Sequence, residues 1–200
     1  MDKNKGYSTT LKTRSFLYLE TKKTADLIHK GFKTFEIRDM AIKDNLFQLK
    51  TESRKKEIAS ATLSRLKDVD KYVIGKIAYG DAETSKMLVL YSIMKTDRLF
   101  FEFMNEVYRE KLILKETLLQ DKDFNLFFDA KKQQSEKVAS WEDYTYYKLQ
   151  QVYIRILFEA GILKNQKGDR EMVRGYIDYE TKQHLKDTGE QIYISILEGE

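Results

Sequence analysis

Apolar side chains recur at three- and four-residue spacing along most of the chain, the period of helices with one buried face. Tyr7 to Leu19 reads as an irregular lead-in rich in Thr, Ser and aromatics. Ala25, Leu27 and Ile28 predict a helix over Glu20 to His29, closed by Gly31. Thr34 can cap the next helix, with Phe35, Ile37, Met40 and Ala41 as buried positions. A tight Asn45–Gln48 link follows, and Thr51 caps a helix reaching about Lys67. Asp68 and Asp81 open two more. The first ends near Gly80, and the second carries Met87, Leu88, Leu90, Tyr91 and Met94. Asp97 to Lys115 predicts a long helix with Leu99, Phe100, Phe103, Val107, Tyr108 and Leu112 at helical spacing. A shorter one starts about Asp123 with Phe124, Phe127 and Phe128. Ser140 and Asp143 form a capping box for a helix running to Ala160 and stopped by Gly161. The end of the chain changes character. Ile192, Ile194 and Ile196 alternate against Tyr193, Ser195 and Leu197, so Gln191–Leu197 is expected to be a strand. Met172–Ile177 is expected to be another, with a helix near Asp178 to Lys186 between them. The expected fold is mainly α, a helical bundle with an N-terminal helix-turn-helix and a C-terminal winged-helix-like element.

Composition supports that reading. The chain has no proline, against an average usage of about 5%, and so lacks the usual helix breaker. Its 200 residues are 42% hydrophobic, enough for a core of ordinary size, and 34% charged. Charge is unevenly spread. Residues 1–70 carry 16 basic and 10 acidic side chains, residues 71–140 carry 12 and 11, and residues 141–200 carry 8 and 11. The positive excess lies where a polyanion would be held. Without cysteine, disulfides, thiolate catalysis and Cys-based metal sites are excluded. Met1 to Arg14 has no apolar stretch behind its charges, so no secretion signal is expected. No segment approaches the roughly 18–20 apolar residues that cross a bilayer. A cytoplasmic protein with no membrane partner is expected.

Thr34 to Lys67 carries the clearest pointer to a partner: two helices joined by a short link, the second basic, the pattern of a helix-turn-helix nucleic-acid reader. On a wheel of the second helix, Ile58, Ala59, Thr62, Leu63 and Leu66 gather on the core side. Ser53, Lys56, Ser60, Ser64 and Lys67 face outward, with Arg54 and Arg65 on the flank. Short hydroxyls allow close approach and donate to phosphate, while cations displace counterions. Lys50 and Lys55 sit near the helix N-terminus, where backbone N–H groups also favour phosphate. An ordinary solvated face of a lysine-rich protein has the same appearance. A second stripe, Tyr144, Lys148, Gln151 and Arg155, runs along the Trp141–Ala160 helix opposite its apolar face of Leu149, Val152, Tyr153, Ile156 and Leu157. Lys167, Arg170 and Arg174 would add phosphate contacts from a wing. Most aromatics fall at core spacing, and only Tyr144, Tyr146 and Tyr147 look exposed enough to stack on bases.

Catalytic chemistry is sparse. Only His29 and His184 are present, and no Gly-rich phosphate loop occurs, so no cofactor, metal site or small-molecule substrate is expected. Glu102, Glu106 and Glu110 share one helix face and read as a solvated acidic ridge, or as a dock for a basic partner.

Several short motifs occur in one order. They are Leu19-Glu20 before a helix, Asp44 to Gln48, Arg65-Leu66 at a helix end, Phe103-x-x-Glu106-Val107, and Leu157-x-x-Ala160-Gly161-Ile162-Leu163. Together, from about Phe16 to Leu163, they resemble the BrxA family, accessory proteins of the bacterial BREX phage-defence systems. The polar run Lys164 to Gly175 departs from the pattern. The resemblance implies a helical core similar to that of the antitermination factor NusB, non-catalytic binding of double-stranded DNA, and other BREX proteins as further partners. The expected division is an N-terminal lobe over 1–70, a central helical core over 71–120, and a C-terminal lobe over 121–200. A protein-interaction scaffold and an RNA-binding NusB-like protein remain open as alternatives.

Overall fold

The computed structural model describes residues 6–199; part of the segment read for a secretion signal, residues 1–5, lies outside them. A 3₁₀ turn (Thr10–Thr13) leads into α1 (Tyr18–His29), α2 (Thr34–Lys43), α3 (Glu52–Leu66), α4 (Lys71–Tyr79) and α5 (Ala82–Thr96). Next come α6 (Arg98–Phe103), a π turn (Met104–Arg109) and α7 (Glu110–Ile113). The chain continues through β1 (Leu118–Leu119), α8 (Asp121–Gln134), α9 (Glu136–Ala139), α10 (Asp143–Ala160), β2 (Arg170–Glu171), α11 (Tyr179–Asp187) and α12 (Gln191–Glu198). The mainly helical fold agrees with the 3.6-residue periodicity.

The expected helix starts are right in place and partly wrong in chemistry. Thr51, Asp81 and Asp97 do cap α3, α5 and α6 by accepting the backbone N–H groups of Arg54, Thr84 and Phe100. Thr34 is instead the first helical residue of α2; the box there is closed by the Glu36 carboxylate accepting the Lys33 N–H at 2.7 Å. Asp70, not Asp68, caps α4. Ser140 donates to the Lys137 carbonyl rather than capping α10, which starts after Glu142. Gly161 does close α10, at φ +89°, a left-handed conformation that glycine adopts without steric cost.

A helix that is apolar all round must be surrounded, and α5 is: every residue from Met87 to Met94 is buried. It packs against α3, α4, α6 and α10. The main cluster of buried side chains extends from Tyr7 to Leu197. Its aromatic centre stacks Phe103 on Phe124 at 4.8 Å between centroids, with Tyr153 edge-on to Phe100 at 4.9 Å. Two smaller clusters join α1, α2 and α3. In one, Phe47 of the link packs with Ala41, Ile58 and Ala59, and in the other Ile37 packs with Leu27 and Leu63. Phe35, expected inside, is 65% exposed, because the buried side of α2 passes through Ile37 and Ala41 alone.

The C-terminal strands are the main correction. Gln191–Glu198 is a helix, not a strand: Tyr193, Ile194, Ile196 and Leu197 are all buried, a spacing that closes one helical face. The Ile alternation fits period 2, but the full set of apolar positions fits 3.6 better. Met172–Ile177 is not a strand either. Its backbone partners are scattered: Met172 N–H to Thr117, Val173 N–H to Ile162 and Gly175 N–H to Leu197. The small antiparallel ribbon that exists pairs Leu118 with Glu171 and Leu119 with Arg170, with a single bridge from Leu163 to Met172 alongside.

Candidate nucleic-acid interface

The core side of α3 is as the wheel predicts, with Ile58, Ala59, Thr62, Leu63 and Leu66 buried. Thr24 of α1 donates to the Thr62 hydroxyl at 2.9 Å and fixes the rotation of α3 about its axis. Ser53, Lys56, Ser64 and Lys67 are then exposed, Ser60 is half-buried, and Lys50 is exposed just before the helix. Three of the cations are tethered. Arg54 pairs with Glu57 at 2.7 Å and donates to the Thr13 carbonyl. Lys55 donates to the Ile42 carbonyl at 3.3 Å. Lys56 pairs with Glu52 at 2.5 Å, and that ammonium holds the Glu52 carboxyl below its usual range.

Arg65 leaves the flank. It is 4% exposed, and its guanidinium donates to the carbonyls of Phe16 at 2.6 Å, Ser15 at 2.7 Å and Arg14 at 3.3 Å. The fork spans three acceptors of the lead-in and pins that segment against α3. Burial pushes its pKa down to about 9, so it stays charged at neutral pH. It presents nothing to a phosphate.

A groove of about 550 Å³ opens between α2 and the C-terminal half of α3. Ser60, Ser64 and Lys67 line it from α3, Thr34 and Arg38 from α2, over a floor that includes Leu63 and Ile74. Arg38 and Thr34 are absent from the residues expected from sequence, although they lie one helical turn apart on α2, at i and i+4. The link between the helices, Asp44–Thr51, is longer than the roughly three-to-four-residue turn of a helix-turn-helix. Asn45 and Gln48 adopt left-handed φ of +52° and +55°, with the Asn45 carboxamide accepting the Leu49 N–H.

The α10 stripe also reaches the surface. Tyr144, Gln151 and Arg155 are exposed and Lys148 is half-buried. Gln151 donates to the Tyr147 hydroxyl, and Arg155 pairs with Glu159 at 2.6 Å. Tyr146, read as exposed, is buried with its hydroxyl on the Val138 carbonyl. Arg170, expected to hold phosphate from a wing, is 5% exposed and donates to Asp121 at 2.8 Å and to the Gln166 carbonyl. Lys167 and Arg174 are exposed.

Glu102 departs from the acidic ridge read from sequence, because α6 turns it inward. Burial alone pushes its carboxyl up, but hydrogen bonds from Lys131, Arg98 and Tyr7 outweigh this and hold it below the usual range. Lys131 is 2% exposed and bridges Glu102 and Glu106, each at 2.7 Å. His184 stacks on Tyr72 and faces the Asp70 carboxylate at 3.1 Å, while His29 lies edge-on to Tyr79. Among the described residues, no helix is long and apolar enough to cross a membrane.

The model of the BrxA family matches residues 5–189. The chain belongs to the BrxA family. It is 60% identical over 200 residues to a BREX protein BrxA of Bacillus cereus (strain H3081.97), covering all of both chains. A BREX protein BrxA of Escherichia coli O9:H4 (strain HS) is 25% identical over 162 residues, 81% of this chain and 76% of that one. The crystal structure of an uncharacterized protein from Magnetospirillum magneticum superimposes with a TM-score of 0.83 at 21% identity, over 97% of this chain and 99% of that one. That likeness is one of fold; the family match itself runs past the Phe16–Leu163 span read from sequence and takes in the polar run Lys164 to Gly175.

Proposed function

We propose that this BrxA-family chain is a non-catalytic accessory protein of a BREX phage-defence system that binds double-stranded DNA through α2 and α3. The observation that carries the reading is the convergence of Arg38, Lys67, Ser60 and Ser64 on one groove. Arg38, Ser60 and Ser64 stand on helices and Lys67 on the C-cap of α3, and together they offer charge and short donors to successive phosphates. Lys50, Ser53, Arg54, Lys55 and Lys56 continue the track toward the start of α3. Lys56 and Arg54 exchange their surface carboxylates for phosphate, a small cost because exposed ion pairs contribute at most about 1 kcal/mol. The α10 stripe extends the track, reached from α3 across the 3₁₀ turn. In this reading the N-terminal helices grip DNA and the remaining helices are the frame that holds them.

The test is a fluorescence-anisotropy titration of blunt duplex DNA against wild type and Arg38→Ala/Lys67→Ala. The double variant loses about one to two decades of affinity, with its melting temperature unchanged because both side chains are exposed. Undiminished binding by that variant refutes the groove. A scaffold role is favoured by one other observation: Leu114 and Leu126, 67% and 69% exposed, line a hollow with Glu110 and Glu116. No binding to duplex, single-stranded DNA or RNA, together with capture of another BREX component, supports that reading instead.

A further inference from the structure

A second groove, of about 490 Å³, lies between the outer face of α10, the 3₁₀ turn and the loop before β2. Lys12 lines it from the turn, Lys148 and Arg155 from α10, and Lys167 from the loop. Among the described residues, the only acidic side chain in its lining, Asp121, is already held by Arg170 at 2.8 Å. Arg155 is paired with Glu159 at 2.6 Å, so the positive charge of the channel comes from Lys148 on one wall and from Lys12 and Lys167 on the other.

Tyr147 lines it from α10, and Tyr144 stands one turn earlier on the same helix. Tyr144 is 62% exposed and Tyr147 55%, with ring centroids 6.5 Å apart and Lys148 Nζ 5.3 Å from the Tyr144 centroid. None of the three hydrophobic clusters contains these rings, in contrast to Tyr146 and Tyr153 beside them. Exposed rings beside a cationic channel bind the faces of bases. Bases inside a duplex have both faces covered by their neighbours, so only an unpaired strand can use them.

The groove is also placed next to the duplex track. Arg54 of α3 donates to the Thr13 carbonyl, and Lys12, the preceding residue, lines the groove. The 3₁₀ turn therefore joins the start of α3 to the channel. We infer that this groove takes an unpaired DNA strand leaving the duplex held by α2 and α3, so that the preferred ligand is a duplex–single-strand junction. Tyr144 and Tyr147 stack on its bases, and Lys12, Lys148 and Lys167 hold its phosphates. The junction rests on the duplex reading; the groove itself does not.

Anisotropy with a blunt duplex, the same duplex bearing a 3′ or 5′ oligothymidine tail, and the free tail tests this. A tail of one polarity tightens binding about tenfold, the effect of one or two base–aromatic stacks. Tyr144→Ala/Tyr147→Ala abolishes that gain, so that tailed and blunt duplexes bind the variant equally well, while Tyr144→Phe/Tyr147→Phe keeps it. Lys12→Ala/Lys167→Ala, at exposed positions away from the rings, reduces the gain and serves if the tyrosine variant does not fold. A tail that adds nothing at either polarity overturns the inference, as does an alanine variant that keeps the full gain. So does a gain seen with a uridine RNA tail and not with DNA. Binding of the free tail without binding of the blunt duplex keeps the groove and refutes the duplex site.

Discussion

Replacing Arg65 by alanine separates a role in stability from a role in DNA contact. The side chain is 4% exposed and makes three hydrogen bonds to lead-in carbonyls, at 2.6, 2.7 and 3.3 Å. A hydrogen bond to a charged group contributes about 1.5–3 kcal/mol. Three of them are offset in part by the desolvation of a buried guanidinium, which is several kcal/mol. The Phe16 and Ser15 carbonyls are left without their donor, so the net loss is about 3–4 kcal/mol, in the range found when a buried ionic network is broken. Urea unfolding followed by far-UV circular dichroism measures it. Arg65→Lys does not restore it, because one ammonium cannot span three acceptors in the fork geometry. Where the variant is still folded, its affinity for blunt duplex and the salt dependence of that affinity match wild type. A stability loss under about 1 kcal/mol, or a folded variant with selectively weakened DNA binding, refutes the assignment of Arg65 to the lead-in clamp.

Asp97 gives a pH signature: burial pushes its carboxyl up from 3.8 to about 6. The native state binds its proton more tightly than the unfolded chain, so this contribution is fully present below pH 3.8 and is lost as pH rises through about 6. The loss is about 3 kcal/mol at about 1.4 kcal/mol per unit. Asp97→Asn keeps an acceptor for the Phe100 N–H and flattens stability between those pH values in thermal melts; an unchanged slope counts against the shift. Lys131→Met leaves Glu102 and Glu106 without their shared ammonium and costs about 3 kcal/mol in urea unfolding; a neutral effect shows that Glu102 finds enough compensation in Arg98 and Tyr7.

Most helices are legible in the sequence because their caps and apolar faces are local. Thr51, Asp81 and Asp97 each mark a start by their own side chain, and Gly161 marks an end by its left-handed φ. The outer face of α3 is legible for the same reason, since Thr62, Leu63 and Leu66 fix which side turns inward. What escapes is set by the rest of the fold. The spacing of Arg65 places it beside the outer face, and only the carbonyls of Arg14, Ser15 and Phe16, far away in sequence, draw it inside. Arg170 is lost from the surface in the same way, to Asp121 and to the Gln166 carbonyl. The α12 error is local: three alternating isoleucines mimic a strand while Tyr193 and Leu197 complete a helical face. Arg38 and Lys12 are missed because each is a lone cation in its own segment, and only packing brings it to a groove.

Whether this BrxA-family chain holds duplex DNA through a phosphate-binding track is decided by the salt dependence of blunt-duplex binding. About four to six phosphate contacts give a slope of log K against log salt near −4 to −5, and Lys67→Ala reduces it by about one. A slope near zero, or no binding to duplex at low salt, rules the track out.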